Sequence, residues 1–465
     1  MKFTASILIV LDAVLSIVAL LSAAVLRFGS AEINQKLFDS STIFTTVTFV
    51  GVVLFSAHLM EVYDRNKNLS KREILINIGF ATVTSFSLLS VVYYLDPGIM
   101  LGRGVLFISL CIFALLQFCW HTIYLIGNKH SHFSQRILVL GTGTLAAQIG
   151  ELVSSSKRNF LLVGYATCYV EVPGNEPEPE LEQSIVPQDK ILNNGTSLLD
   201  TALQTQAGVI VVALAERRGF FPLKDVLLCK LNNIQIMDAP TFYELALGKL
   251  MLESITPSWF IFSGGFHRTT IFSICKRTID IMLSFTGLMI TLPFFPLIAL
   301  AIKFDSPGPV FFRQERVGDK EKQFVLYKFR TMRQDAENGT GAVWASKNDT
   351  RVTRLGRLFR GSRIDEIPQL INVLKGEMSF VGPRPERYEF VEKLKLVIPY
   401  YSKRHFIKPG LTGWAQVRYP YGSSVEDAVE KLRYDLYYIK NISPFLDTLI
   451  FLETIKVVLF GFGGR

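Results

Sequence analysis

Four long apolar runs constrain the first quarter of the chain more than any other feature. Each is close to the length of about 20 residues that a helix needs to cross the hydrocarbon core of a bilayer. The runs are Phe3–Leu26, Ile43–Met60, Ile74–Leu95 and Val105–Ile126. Runs of this length with almost no internal charge are hard to fold as buried helices in water, and their number argues against a cleaved signal peptide. The sequence therefore predicts a four-helix transmembrane domain over residues 1–128.

Basic residues between the runs indicate how this domain is oriented. The connection 61–73 and the exit from the fourth run are both rich in lysine and arginine. The residues are Arg65, Lys67, Lys71 and Arg72 in the first segment, and Lys129 and Arg136 in the second. Because cytoplasmic loops carry such an excess, we expect both segments and the N-terminus to face the cytoplasm.

The composition limits the partners of the chain. A hydrophobic content of 49% agrees with a membrane protein, and a formal net charge of +9 favours anionic partners such as a lipid surface or phosphorylated substrates. The hydrophobic content weighs against nucleic acid, and we expect no nucleic-acid partner. The five cysteines are scattered without a Cys-x-x-Cys pair, so we expect free thiols.

A different pattern begins at residue 135. A short buried strand, a glycine turn and a helix are predicted within Arg136–Glu151. Two more strands are predicted near 161–170 and 208–213, and a helix at Asp225–Leu231. Alternating strands and helices are typical of a parallel sheet, so we expect a Rossmann-like α/β domain over 135–250.

The glycine turn of this domain admits two interpretations. Gly141 and Gly143, followed by Ala146, resemble the dinucleotide fingerprint with alanine in place of the third glycine. An acid is expected after the second strand, and Glu171 comes somewhat late for that role. The turn serves either packing and self-association, for example in a homodimer, or the sensing of a nucleotide or sugar. The segment Val172–Asn194 is rich in Pro, Glu, Gln and Asn and is predicted to be a loop within the domain.

The apolar run Ile281–Ile302 is long enough to span a membrane, but its flanks and prolines argue for another course. Basic residues precede and follow it in similar number, which disfavours crossing. Pro293 and Pro296 remove helix hydrogen bonds in the middle of the run, so a kink is expected there. A re-entrant helix over 279–303 that enters and leaves by one face accounts for these features. A kinked fifth span is the alternative.

The stretch Arg360–Glu386 contains the strongest candidates for chemistry. Its apolar residues are spaced as one face of a short helix that begins near Asp365 and Glu366 and ends before a glycine. A rigid Gly-Pro-Arg-Pro turn then carries Arg384. A carboxylate at the start of this helix, from Asp365 or Glu366, can attack a phosphate or hold a metal. The N–H groups of the helix and Arg384 can bind anions. An acidic helix cap beside a surface arginine is the alternative.

Five further polar residues are candidates for phosphate binding: Lys328, Arg330, Arg360, Gln369 and Asn372. The two amides share a helix face with Asp365. Lys328 and Arg330 share one face of the strand predicted over 323–332. There they either bind a pyrophosphate or form a solvated basic edge. Arg360 ends a basic run, which either binds phosphates or faces lipid headgroups.

These residues lie in blocks that resemble the monotopic bacterial polyprenyl-phosphate sugar-1-phosphate transferases. The signature is Asp365–Glu386, and three further blocks match in the same order. They are Ser306–Gly318, Tyr327–Met332 and Lys408–Val417. The whole layout is similar to the long form of the family, the initiating transferases of exopolysaccharide assembly. Where the family has a serine before the proline at the helix break, this chain has Leu292.

The resemblance implies a multi-pass protein of the bacterial inner membrane. Its parts are an α-helical transmembrane bundle, the Rossmann-like domain and a monotopic α/β catalytic domain over 270–465 with the re-entrant helix. The catalytic domain is expected on the cytoplasmic face of the lipid bilayer, where a membrane acceptor presents its phosphate.

The resemblance also implies a two-step reaction. A UDP-sugar binds with Mg²⁺, and Asp365 attacks the phosphate next to the sugar and expels UMP. The phosphate of undecaprenyl (polyprenyl) phosphate then takes the phosphosugar from the enzyme and becomes polyprenyl-diphosphate-sugar. Glu366 matches the second acid of the family and is the expected metal ligand. Four cations are expected to offset the negative charge of the diphosphate. They are Lys328, Arg330, Arg360 and Arg384.

Two other classes of function remain as alternatives. One is a membrane-tethered, nicotinamide-dependent sugar-nucleotide epimerase or reductase that uses the glycine turn, although no convincing Tyr-x-x-x-Lys pair follows it. The other is a non-catalytic scaffold of polysaccharide assembly, which would leave Asp365–Glu386 without a task. Release of UMP from a UDP-sugar separates the transferase from both. Nothing in the sequence selects the sugar.

Overall fold

The structure is a computed structural model of the chain. It describes residues 2–29, 40–63, 71–127, 134–155, 160–167, 169–170, 178–179, 184–192, 197–214, 221–334, 349–419, 422 and 424–460. Arg65, Lys67, Lys129, Glu171 and most of Val172–Asn194 lie outside these residues. The chain forms two compact units, Met1–Phe242 and Tyr243–Arg465.

The first unit opens with four long helices. Their bounds are α1 Lys2–Phe28, α2 Ser40–Leu59, α3 Lys71–Leu95 and α4 Arg103–Gly127. All four are long and apolar enough to cross a membrane. Large apolar side chains cover their outward surfaces, for example Val10, Leu26, Val47, Val83, Phe107 and Leu115. A bundle that is apolar on its outside as well as its inside is suited to lipid rather than water, as the sequence predicted.

A polar cluster lies inside this bundle. The carboxylate of Asp12 is fully buried, and its Oδ2 accepts from Tyr63 Oη at 2.9 Å and from Gln117 Nε2 at 2.5 Å. His121 Nε2 lies 3.2 Å from the same oxygen. The cluster joins α1 and α4 to the turn after α2, and buried polar contacts of this kind fix the register of packed helices.

The rest of the first unit is a four-stranded parallel sheet with helices. Its strands are β1 Gln135–Leu140, β2 Phe160–Ala166, β5 Val209–Val212 and β6 Gln235–Asp238, in the order β2-β1-β5-β6. A separate antiparallel pair consists of β3 Tyr169–Val170 and β4 Glu178–Pro179. The helices are α5 Thr144–Ser155, α6 Leu198–Gln204 and α7 Leu223–Leu231. Helix α8, Ala239–Leu247, begins in the first unit and ends in the second. The parallel sheet confirms the predicted α/β class.

Two details of this sheet differ from the prediction. The strand predicted over 161–170 ends at Ala166, because its pairing with β1 ends where Leu140 meets that residue. Part of the predicted loop folds back over the glycine turn, where Ile185 N donates to Thr142 O at 3.0 Å. Gly141 has φ +122°, and an added Cβ would lie 2.6 Å from Ala213 O, so this position requires glycine.

The second unit contains nine further helices and four strands within its described residues. The helices are α9 Pro257–Phe262, α10 Thr270–Thr291, α11 Phe295–Asp305, α12 Arg354–Ser362, α13 Leu370–Lys375, α14 Tyr388–Val397, α15 Trp414–Arg418, α16 Val425–Lys440 and α17 Pro444–Phe460. The strands are β7 Phe311–Val317, β8 Gln323–Phe329, β9 Ser379–Val381 and β10 Gly410–Thr412. β7 and β8 form an antiparallel hairpin, whereas β9 and β10 pair in parallel.

Helices α10 and α11 form one apolar segment with a break in it. A 3₁₀ turn at Leu292–Phe294 separates them, and Pro293 and Pro296 occupy first-turn positions where a missing N–H is tolerated. The break thus falls at the predicted prolines. The segment Thr270–Asp305 is the fifth described segment with the length and hydropathy of a membrane span, and only 6% of its most apolar window is buried inside the protein.

Candidate functional site

A tight turn places two carboxylates side by side in the second unit. Arg363 ends α12 in the left-handed conformation with φ +55°, and a 3₁₀ turn over Ile364–Gln369 follows before α13 begins. The helix predicted from Asp365 therefore begins as 3₁₀, and the ring of Pro368 disfavours the α form there because it would clash with the carbonyl four residues earlier. Both Asp365 and Glu366 are 7% exposed, although acids normally cap helices in solvent.

Glu366 is held by three cations. Its Oε1 accepts from Arg384 Nη2 at 2.7 Å and from Lys328 Nζ at 3.2 Å. Its Oε2 accepts from Arg363 Nη1 at 3.3 Å. A buried carboxylate requires such partners, since an isolated charge would be strongly destabilising away from water. The structure therefore brings together Asp365, its neighbouring acid and two of the predicted cations.

A second layer of contacts fixes the arginines. Gln416 Oε1 accepts from Arg384 Nη1 at 3.1 Å and from Arg363 Nη1 at 3.4 Å. The carbonyl of Arg384 accepts from Arg404 Nη2 at 3.0 Å, and Arg404 in turn pairs with the buried Asp435 at 2.8 Å. Contacts to both its side chain and its backbone therefore fix the position of Arg384 in the Gly-Pro-Arg-Pro turn.

The two neighbouring carboxylates have opposite electrostatics. Burial opposes ionisation of Glu366, yet the charges of Arg384, Lys328 and Arg363 outweigh it and hold the pKa of this carboxyl well below its usual range. Burial raises the pKa of Asp365, and the charge of Glu366 raises it further, while nearby cations oppose both effects. Glu366 is therefore the more strongly stabilised anion of the pair, and Asp365 ionises less readily.

A small pocket beside the cluster has a surplus of hydrogen-bond donors. It is lined by Arg316, Leu326, Lys328, Gln369, Arg384, Pro385 and Gly410. Among the described residues, no acceptor pairs with the buried Nε2 atoms of Gln369 and Gln416 or with Nε of Arg316. Buried donors without acceptors are costly in a folded protein. The unpaired donors of Gln369 and Arg316, beside the three cations Arg316, Lys328 and Arg384 that line the pocket, form a site that suits an oxyanion.

Three of the predicted phosphate ligands have other contacts in this structure. Arg330 donates through Nη2 to Ser306 O at 2.5 Å, at the end of α11, because β8 ends one residue before it. Asn372 is fully buried and bonds the backbone of β8 through Tyr327 N and Val325 O. Arg360 donates to Thr331 Oγ1 at 3.0 Å, and its charge lowers the pKa of Asp365. Of these three, only Arg360 acts on the carboxylates.

Sequence reasoning missed three residues of the site. Arg363 and Gln416 contact the cluster directly, and Arg316 lines the pocket while its Nη1 donates to Pro385 O at 3.2 Å. Arg316 and Gln416 lie inside the blocks that carry the family resemblance, and their place in these blocks is the sequence signal for them. Arg363 lies just before the carboxylates, at the end of α12. Its left-handed conformation has no signal in the local sequence.

Magnesium fits the site in one mode. Within the described ranges no group of three or more Asp, Glu, His or Cys side chains is placed to hold a metal. Mg²⁺ in phosphoryl-transfer sites is usually bound through one or two carboxylates plus the phosphates of the substrate. Both oxygens of Glu366 already accept from cations, so Asp365 is the carboxylate that best suits this mode. The role of Glu366 as a metal ligand, which the resemblance implies, stays a prediction, and its three ion pairs disfavour it.

The site is thus an anion-binding site around a buried carboxylate pair, on an α/β unit that carries a long apolar helix pair. Residues 271–461 match the family model of the bacterial sugar transferases. The Rhizobium leguminosarum bv. phaseoli exopolysaccharide production protein PSS is 42% identical over 187 residues, which are 39% of this chain and 94% of that protein. The chain belongs to the bacterial sugar transferase family, as the resemblance indicated.

Two longer relatives have more specific names. A UDP-N-acetylgalactosamine-undecaprenyl-phosphate N-acetylgalactosaminephosphotransferase of Aeromonas hydrophila is 40% identical over 237 residues, 51% of this chain and 55% of the relative. A UDP-glucose:undecaprenyl-phosphate glucose-1-phosphate transferase of Xanthomonas campestris pv. campestris is 40% identical over 230 residues, 49% of this chain and 48% of the relative. The chain thus spans about half the length of each of these two proteins.

Proposed function

We propose that this protein transfers a sugar-1-phosphate from a UDP-sugar to undecaprenyl phosphate and releases UMP, as the first membrane step of exopolysaccharide assembly. The observation that carries the proposal is that Asp365 lies next to Glu366, which cations already neutralise, and interacts with the charges of Lys328 and Arg384, which line the donor-rich pocket. A diphosphate supplies the acceptors that the buried donors lack, and Asp365 is the carboxylate available to attack it.

The first step uses the carboxylate as a nucleophile. An oxygen of Asp365 forms a bond to the phosphorus next to the sugar, and the bond from that phosphorus to UMP breaks, with the electron pair leaving on UMP. An ionised carboxylate needs no base for this attack, and the charges of Lys328, Arg384 and Arg360 favour the ionised form of Asp365. Arg384 and Lys328 are placed to stabilise charge on the phosphates, since Glu366 orients both cations toward the pocket.

The second step releases the sugar phosphate to lipid. A phosphate oxygen of undecaprenyl phosphate forms a bond to the same phosphorus, and the bond to Asp365 breaks and regenerates the carboxylate. The free carboxylate of Asp365 and the phosphates of the substrate would hold Mg²⁺, which would supply neutralising charge. Arg360, which lies near the carboxylates on the α12 side, adds positive charge there.

The anchoring of α10 and α11 supports a re-entrant course. Near the start, Lys276 pairs with Asp447 at 2.6 Å, and Asp280 accepts from Phe380 N at 2.9 Å. At the far end, Arg330 donates to Ser306 O, and Ile302 packs against Phe329 and Phe359. Both ends of the segment are therefore held by the same compact unit, which is what a helix pair that enters and leaves by one face requires.

The length between the anchors fits half a bilayer. Ser284 and Ile302 are the innermost buried residues on the two arms. About nine residues separate each from the break, or roughly 13 Å at 1.5 Å per residue. The hydrocarbon core is about 30 Å thick, so the turn at Leu292–Phe294 reaches about one leaflet. We therefore place the catalytic unit on one membrane face, which the basic loops of the bundle assign to the cytoplasmic face of the inner membrane.

The parallel-sheet domain is proposed to be Rossmann-like in form and to serve packing or self-association rather than a cofactor. The chain at Ile185 covers the glycine turn by donating to Thr142 O, at the place where a dinucleotide would approach the backbone. No observation in the described residues favours the nicotinamide-dependent alternative. A homodimer through this domain remains a prediction.

Release of UMP tests the proposed function. Full-length protein in nanodiscs is supplied with undecaprenyl phosphate, Mg²⁺ and one UDP-sugar at a time, beginning with UDP-glucose and UDP-N-acetylgalactosamine, the donors in the names of the two longer relatives. We expect UMP release with at least one UDP-sugar and none from Asp365→Asn. An unchanged rate in Asp365→Asn contradicts the proposed chemistry.

A further inference from the structure

A second, larger groove lies beside the donor-rich pocket, and the mechanism above does not use it. Its volume is about 380 Å³, within the range of small-molecule sites. It is formed by β7, the start of β8 and the first residues of α14. The residues that matter here are Phe312, Gln314, Gln323, Tyr388 and Glu389. Phe312 and Gln314 belong to the block Ser306–Gly318, and none of the five has a role in the proposed catalysis.

The hairpin of β7 and β8 links the groove to the catalytic pocket. Phe312 on β7 pairs directly with Lys328 on β8, so the two side chains lie on one face of the hairpin. Arg316, which lines the catalytic pocket, donates through Nη2 to Gln314 Oε1 at 2.6 Å. A ligand whose phosphate sits near Lys328 and Arg384 therefore has space to extend along β7 into the groove.

The groove carries the chemistry of a nucleoside site. Two aromatic rings are open to it, since Tyr388 is 46% exposed and Phe312 is 40% exposed, and an exposed ring offers a face on which a base stacks. The amides of Gln314 and Gln323 match the donor and acceptor edge of a pyrimidine. The carboxylate of Glu389 is a suitable acceptor for ribose hydroxyls.

We propose that this groove binds the nucleoside half of the UDP-sugar, with Tyr388 as a stacking platform for the uracil ring. The inference rests on the proposed function. The phosphorus attacked by Asp365 is the one next to the sugar, so the nucleoside lies one phosphate farther from the carboxylate. The open groove also gives the leaving nucleotide a route to water while the sugar phosphate stays on the enzyme.

Binding of UMP alone tests the groove separately from catalysis. Equilibrium dialysis with radiolabelled UMP is carried out on the full-length protein in nanodiscs. We expect Tyr388→Ala to weaken UMP binding about tenfold, in the range that base stacking contributes, and Tyr388→Phe to weaken it less than threefold. Leu396→Ala is the matched control, because Leu396 lies two turns along the same helix and is 88% exposed. It is expected to bind UMP as the wild type does.

Kinetics then identify which half of the substrate the groove holds. Tyr388→Ala is expected to raise the KM for the UDP-sugar by the same factor, and to leave transfer from the preformed adduct to undecaprenyl phosphate unchanged. A raised KM with unchanged UMP affinity would show that the groove holds the sugar, and would overturn the proposal. Unchanged values of both, or no UMP binding by the wild type, would also overturn it. Weaker UMP binding in a protein that releases no UMP from any UDP-sugar would support the groove and refute the transferase function.

Discussion

Replacing Glu366 with glutamine tests how the site is held together. The change keeps the shape of the side chain but removes the charge that Arg384, Lys328 and Arg363 contact at 2.7, 3.2 and 3.3 Å. The three cations then lie together without a counter-charge, and the new amide group presents donors to other donors. We expect the cations to move apart and the donor-rich pocket to lose its geometry.

The size of the effect follows from these contacts. A hydrogen bond to a charged group contributes about 1.5–3 kcal/mol, and removing one partner of a buried ion pair costs roughly 3–5 kcal/mol. The contacts act as one network and do not add, so we take about 3–4 kcal/mol for the whole cluster. If this loss falls on the transition state, kcat/KM for UMP release decreases about 100-fold to 1,000-fold.

The assay is single-turnover UMP release from the full-length protein over a range of Mg²⁺ concentrations. Since Glu366 already accepts from three cations, we expect added Mg²⁺ to restore little activity to Glu366→Gln. Glu392→Gln, an exposed carboxylate on α14 that pairs with Lys395, serves as the charge-removal control and should behave as the wild type. Recovery of Glu366→Gln at high Mg²⁺ would refute this reasoning, because a weakened metal site can be refilled by mass action.

Three further predictions concern other parts of the chain. Asp12→Ala leaves the buried donors of the bundle without their acceptor, and we expect it to lower the free energy of unfolding by about 1–3 kcal/mol in thermal denaturation. Gly410→Ala would place a Cβ 2.1 Å from Gly382 N. We expect at least a 100-fold loss of UMP release, while Gly264→Ala, with nothing within 4 Å, keeps it. Burial lowers the pKa of His405 to about 3, so the unfolded chain binds a proton below about pH 6.5 that the folded chain does not. Stability should therefore fall by about 2 kcal/mol between pH 6.5 and pH 5, and His405→Gln should reduce this dependence in melting curves.

The helices and the position of the carboxylates could be predicted from the sequence because their signals are local. Apolar runs long enough for a bilayer placed α1 to α4, and prolines placed the break at Leu292–Phe294. The carboxylate pair and Arg384 were recognised as candidates because helix signals and a rigid turn put charged groups at defined positions. Each of these inferences needed no information from distant parts of the chain.

The partners of those residues could not be predicted, because they depend on contacts between distant segments. Gln416 reaches Arg363 across 53 positions in the sequence, and nothing in the local pattern identifies it as a neighbour. Helical spacing put Asn372 on a polar face, but it could not show that the amide would bond the backbone of β8. The alternation of side chains along a strand predicted that Arg330 and Lys328 share a face. Because β8 ends at Phe329, Arg330 lies outside the strand and this alternation does not apply to it.

The central claim is that Asp365 carries the sugar phosphate between the two substrates. The measurement is mass spectrometry of the full-length protein mixed with a UDP-sugar and Mg²⁺ in the absence of undecaprenyl phosphate, followed by peptide mapping. The account predicts a sugar-phosphate adduct on the peptide that contains Asp365, its loss on addition of undecaprenyl phosphate, and no adduct in Asp365→Asn. An adduct on Glu366, or an adduct that still forms in Asp365→Asn, would contradict it.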